Sequence, residues 1–118
     1  MTRCYYIHGV ATNAKFIATI LDKMFPMEVS AKPMFGEYGL YFEGKNFALV
    51  CDDTLFIKVT ARGGEIAGRV TRASPYPGAK PGFKISPSKL NDHDWLMELV
   101  EETSRALPLP KPRKKRIT

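Results

Sequence analysis

Residues 34–59 read MFGEYGLYFEGKNFALVCDDTLFIKV, three apolar runs separated by two short turn signals, and the pairing of these runs decides the fold. The first run, 35–43, sets Tyr38, Leu40 and Phe42 at alternate positions, the period of a strand with one buried face. The second, 46–51, repeats that period with Phe47, Leu49 and Cys51, and the third, 55–60, with Leu55, Ile57 and Val59. Gly44-Lys45 reads as a two-residue hairpin loop, its leading glycine suited to the positive φ of a type II′ turn. That pairing sets Phe42 opposite Phe47.

Two turns compete between the second and third runs. Asp52-Asp53 as a two-residue turn places Leu55, Ile57 and Val59 on the face of Ala48 and Val50, whereas Asp52-Asp53-Thr54 places them beside Phe47, Leu49 and Cys51. A slip of one residue sends every side chain to the other face, so this choice defines the core. The longer turn gathers the largest side chains together, and each fully buried Leu, Ile, Val or Phe gains about 1.5–3 kcal/mol, so it is preferred. It leaves Tyr41, Val50 and Phe56 on the opposite face, an apolar patch suited to a protein partner or a second copy of the chain.

On the N-terminal side, Phe16, Ile17, Ile20, Leu21, Met24 and Phe25 recur every three or four residues, which predicts an amphipathic helix over 12–25. Thr12 or Asn13 supplies its cap and Pro26 its stop, and 30–33 is the connection into the sheet. On the C-terminal side, Gly63, Gly64 and Gly68 argue against more than one helical turn. Residues 74–82 form a proline- and glycine-rich loop, and 82–86 a short edge strand that stops at Pro87. A helix over 92–107 follows, with Trp95, Leu96, Leu99, Val100, Thr103 and Leu107 inward and aspartates at its cap. The expected fold is α+β, a two-layer sandwich in which helices 12–25 and 92–107 cover an antiparallel meander sheet. The domain spans 1–107, with a disordered basic tail over 108–118.

The whole chain, 118 residues, is enough for one modest core. It shows no apolar run of membrane-spanning length and no signal-peptide pattern, so a soluble cytoplasmic protein is expected. Cys4 and Cys51 make no disulfide framework and are expected to be reduced thiols. The net charge of +6 is unevenly spread. Residues 58–89 hold seven Lys/Arg against Glu65 alone, 90–107 hold Arg105 against five acids, and the tail holds Lys111, Arg113, Lys114, Lys115 and Arg116 with no acid.

No constellation points to catalysis. The glycines of 63–68 have the spacing of a phosphate loop, but Arg69-Val70 stand where Lys and Ser/Thr would touch phosphate and magnesium. Asp92-His93-Asp94 reads as a helix cap in preference to an acid–base set. Cys4, His8, Cys51 and His93 match no zinc-ligand spacing. No catalytic residue, metal or cofactor is therefore expected. The tail cations, with Arg62, Arg69 and Arg72 of the middle segment, are the candidate contacts to a phosphate backbone. Tyr76 and Phe83 lie beside them as stacking candidates.

From about Phe16 to Leu107 the chain resembles the N-terminal domain of the TfoX/Sxy family, bacterial proteins linked to the regulation of natural competence. The likeness is carried by Met34-Phe35-Gly36, Tyr38-Gly39-Leu40-Tyr41, Gly44-Lys45, Phe47-Ala48-Leu49-Val50 and Leu55-Phe56-Ile57-Lys58, then by Lys80-Pro81. It implies a two-layer α/β sandwich with an antiparallel sheet and a non-enzymatic regulatory or protein-interaction role. The alternative is a small nucleic-acid-binding protein working through the tail and 58–89. The chain departs from the family pattern at Glu37, where many members have glycine, and at Lys32-Pro33 in place of an Arg-Lys pair. Full-length regulators of the family carry a helical C-terminal module where this chain has its basic tail.

Overall fold

The computed structural model describes residues 14–34 and 37–108. Helix α1 (Ala14–Met24) buries Ile17, Ile20 and Met24 of the predicted stripe, with Phe16 and Leu21 partly buried against them, whereas Phe25, just beyond the helix, is 71% exposed. After a cis Phe25–Pro26 bond the chain enters six strands: β1 (Val29–Met34), β2 (Glu37–Phe42), β3 (Lys45–Cys51), β4 (Thr54–Lys58), β5 (Arg72–Ala73) and β6 (Gly82–Ile85). They form one antiparallel sheet in the order β1-β2-β3-β4-β6-β5. Helix α2 (Ala61–Ala67) carries the chain from β4 toward β5, while α3 (Pro87–Leu90) and α4 (His93–Ala106) follow β6. The architecture is the expected α+β sandwich, but its details correct the sequence reading at several points.

The first correction is β1, which the sequence offered only as a connection. Val29 and Ala31 alternate toward the core side opposite Phe42 and Leu40, and Pro33 is tolerated because β1 is an edge that needs no further ladder donor. The second concerns both hairpins. The first turn falls on Glu43 and Gly44, with φ of 55° and 79°, one residue earlier than expected. The second falls on Asp52 and Asp53, with φ of 54° and 55°, so two residues and not three join β3 to β4. Paired left-handed residues make the type I′ geometry whose twist matches the strands, and aspartate enters that region at little cost.

The short turn pairs Val50 with Leu55 and Ala48 with Ile57, and so reverses the expected faces. Leu40, Ala48, Val50, Leu55, Ile57, Phe83 and Ile85 point toward the helices, whereas Leu49, Cys51, Phe56 and Lys58 alternate to the outer face. Phe47 joins the core through a bulge: Leu40 pairs with Ala48 but Tyr41 with Asn46, leaving Phe47 as the extra residue. The Asn46 side-chain amide donates to the Leu40 carbonyl at 3.0 Å and the Ala48 carbonyl at 3.1 Å, tying the bulge across both strands.

The helical layer closes over this face. Leu96, Leu99 and Val100 of α4 meet α1 and the sheet, and Asp92 caps α4 by accepting from the Trp95 N–H. α2 is a complete helix despite its paired glycines. Thr60 caps it, accepting from Gly63 N–H at 2.9 Å, and Gly63 is buried where the helix meets α4. Trp95 Nε1 donates to the Ile66 carbonyl at 3.1 Å, linking the two helices again.

Candidate interaction groove on the outer sheet face

The helices cover one side of the sheet, and the other side is partly roofed by the loop that runs from β5 to β6. Cys51 and Phe56 of the outer face are buried in a small separate cluster with Ala73 and Tyr76. Beside it lies an open groove of about 960 Å³ whose floor and walls include Leu49, Phe56, Val59, Tyr76 and Leu107, with Lys58 and Lys80 at its polar edge. Gly82, opposite Lys58 in the ladder, sits where a Cβ would lie 3.0 Å from the Ile57 carbonyl oxygen and 3.3 Å from Phe56 Cβ. Its lack of a side chain lets β6 pass close under the groove.

The electrostatics of the groove are one-sided. Among the described residues, neither Lys58 nor Lys80 has a carboxylate partner; the ion pairs formed by Arg62 and Arg105 lie elsewhere. Burial lowers the pKa of the Lys58 ammonium, and the neighbouring Lys80 charge lowers it further. The first effect disfavours the charged form of Lys58 itself and the second sets two like charges together, a repulsion that an anion there would offset.

The structure divides the expected site residues. Tyr41 and Phe56 share the outer face, with Lys32 Nζ 5.1 Å from the centre of the Tyr41 ring, but Phe56 is only 7% exposed. Val50 is removed from the proposed patch: the two-residue turn points it into the core, where it is fully buried. Arg72 borders the groove, yet its guanidinium lies over Phe83, 5.1 Å from the ring centre, on the helical side. Arg62 belongs to the surface of α2, bonded to Glu65 at 2.7 Å, which together with Glu102 raises its pKa; Arg69 is exposed just beyond the same helix. Lys111, Arg113, Lys114, Lys115 and Arg116 lie outside the described residues.

Two features escaped the sequence reading. The Lys58–Lys80 pair depends on a loop folding back over the sheet, which no local spacing records. Cys51 is disulfide-bonded and not the reduced thiol expected; the chain's other cysteine, Cys4, lies outside the described residues. The Cys51 sulfur is 3.1 Å from the Pro75 carbonyl oxygen, a close contact and not a hydrogen bond, since a disulfide sulfur carries no proton. Of the acid–base candidates, Asp92 serves as the α4 cap and His93 Nδ1 lies 3.2 Å from the Lys23 carbonyl, both roles of helix packing. Among the described residues no helix is long and apolar enough to cross a membrane.

These observations define a class: a small α+β sandwich domain with an open, basic-edged groove on the side of its sheet that the helices leave uncovered. Within that class, the TfoX N-terminal domain family model matches residues 19–107, and the chain belongs to this family. It is similar to an uncharacterized 12.7 kDa protein in the trpE 5′ region of Spirochaeta aurantia, with 35% identity over 106 residues that cover 89% of this chain and 91% of the relative.

Proposed function

We propose that the protein is a non-enzymatic interaction module of the TfoX N-terminal type, which meets a protein partner in the cytoplasm through the outer face of its sheet. One observation carries the reading: an apolar groove on the sheet face opposite the helices is edged by two lysines that have no carboxylate partner among the described residues. Regulation of competence, the role the family resemblance implies, is the setting proposed for that contact. The test is photo-crosslinking in cells from a benzophenone side chain at position 59, exposed beside the groove, against the same group at position 22 on exposed α1. A defined protein adduct from position 59 and none from position 22 is expected. Adducts from position 22 alone, or from neither, defeat the reading.

A second reading, nucleic-acid binding, is favoured by a different observation. The five cations of residues 111–116 follow closely on Leu107, which lines the groove. If all five neutralise phosphates, affinity falls with salt along a log–log slope of about −4 to −5. Retention on DNA that survives deletion of residues 111–118 removes the tail from that account.

A further inference from the structure

Resting on the outer-face reading above, we infer that the groove binds an acidic segment of a partner protein, an apolar side chain settling against Leu49, Val59 and Leu107 while a carboxylate sits between Lys58 and Lys80. The groove's own residues select this chemistry. Its apolar surface calls for a ligand with something to bury, and among the described residues its charged lining groups are Lys58, Lys80 and Arg72, the last held over Phe83, with neither lysine paired to a carboxylate. An entering carboxylate gains a charge-assisted hydrogen bond and removes the like-charge repulsion between the lysines.

Two other occupants are disfavoured by what the groove presents. The chain's own tail is disfavoured by charge, since residues 111–116 carry five cations and no acid while the groove's edge is already positive. Single-stranded nucleic acid stacks its bases on open aromatic faces, whereas Phe56 is buried beneath the loop and Tyr76 packs against it. Beside the half-buried Tyr76 the accessible contact is aliphatic, with Val59 among the exposed large apolar residues.

The experiment uses the full chain, labelled with ¹⁵N, and three probes: a twelve-residue peptide alternating Glu with Leu and Phe, a Glu/Ser peptide of the same charge, and oligo-dT of twelve nucleotides. The Glu/Leu/Phe peptide is expected to shift the amide resonances of Leu49, Val59 and Gly82 and to bind at least about tenfold more tightly than the Glu/Ser peptide. Lys58→Glu with Lys80→Glu should weaken it at least about tenfold. Should that pair unfold the protein, Lys80→Glu alone, on the exposed loop, is read in its place with the same direction expected. Absence of groove shifts with the Glu/Leu/Phe peptide overturns the inference, and so does tighter binding of oligo-dT in the groove. Either result leaves a crosslink from position 59 standing, so this inference and the broader interaction reading fail separately.

Discussion

Gly63 and Thr103 meet at the crossing of α2 and α4: a Cβ built on residue 63 would lie 3.0 Å from Thr103 Oγ1 and 2.8 Å from Thr60 Oγ1. Alanine is a better helix former than glycine by about 1 kcal/mol, but overpacking a tight contact costs about 1–3 kcal/mol. Gly63→Ala is therefore expected to destabilise the fold by about 1 kcal/mol. Gly64→Ala is the control, because the nearest atoms to its Cβ are Arg72 Nη2 at 3.7 Å and Phe83 Cζ at 4.0 Å, ordinary contacts. It should gain up to about 1 kcal/mol from propensity alone. Urea midpoints of the two variants on opposite sides of the parent bear out the crossing; equal shifts refute it.

The bulge at Phe47 rests on Asn46, whose amide bridges the Leu40 and Ala48 carbonyls. Asn46→Ala removes both bonds, each worth about 0.5–1.5 kcal/mol net, so a loss of about 1–3 kcal/mol is expected. The same change should speed amide hydrogen exchange in β2 and β3 more than in β4 and β6. Uniform loss of protection across the sheet would mean that Asn46 is not specific to the bulge.

This bulge also marks where the sequence ceased to be legible. α1 and α4 could be read because their apolar stripes run unbroken at helical period, and the strands because β-type residues alternate within them. The faces could not, because the extra residue at Phe47 breaks the alternation: Phe47, Leu49 and Cys51 look like one face, yet only Phe47 is inward. α2 was hidden by Gly63-Gly64, which weaken an isolated helix but suit one packed tightly on α4. β1 was hidden by Pro33, harmless at an edge. Of the candidate surface, Tyr41 and Phe56 were placed together correctly by alternation, while Val50 followed the wrong register. The groove itself depends on the β5–β6 loop folding across the sheet, a long-range contact that no period encodes.

Glu37 is buried on β2, and its Oε1 has no hydrogen-bond partner among the described residues. Burial raises its pKa above the ordinary 4.5, so the folded state holds the proton more tightly than the unfolded chain does. The stability this gives is fully present below the unfolded value and is lost as pH rises through the raised folded value. Glu37→Gln abolishes the titration, so the variant should gain on the parent as pH rises. Urea denaturation at about pH 4 and about pH 7.5 measures it. A difference between parent and variant that stays constant across that range would show that Glu37 ionises as freely in the fold as outside it.

Lys45 Nζ donates to the Ser104 carbonyl at 2.9 Å, bringing a cation from the start of β3 to the last turn of α4. A helix C-terminus carries partial negative charge, and a cation there contributes about 0.3–1 kcal/mol, with a charge-assisted hydrogen bond bringing the total to about 1.5–3 kcal/mol. Lys45→Met keeps the aliphatic stem and should cost about 1–2 kcal/mol, whereas Lys45→Glu sets an anion against the carbonyls and should cost more. The consequence reaches the groove, because Leu107, just beyond α4, lines both it and the recess that Lys45 borders. If Lys45 anchors that end, Lys45→Met weakens binding of the Glu/Leu/Phe peptide even under conditions where the protein stays folded. Unchanged affinity together with lowered stability would confine Lys45 to holding the fold and leave the groove wall independent of it.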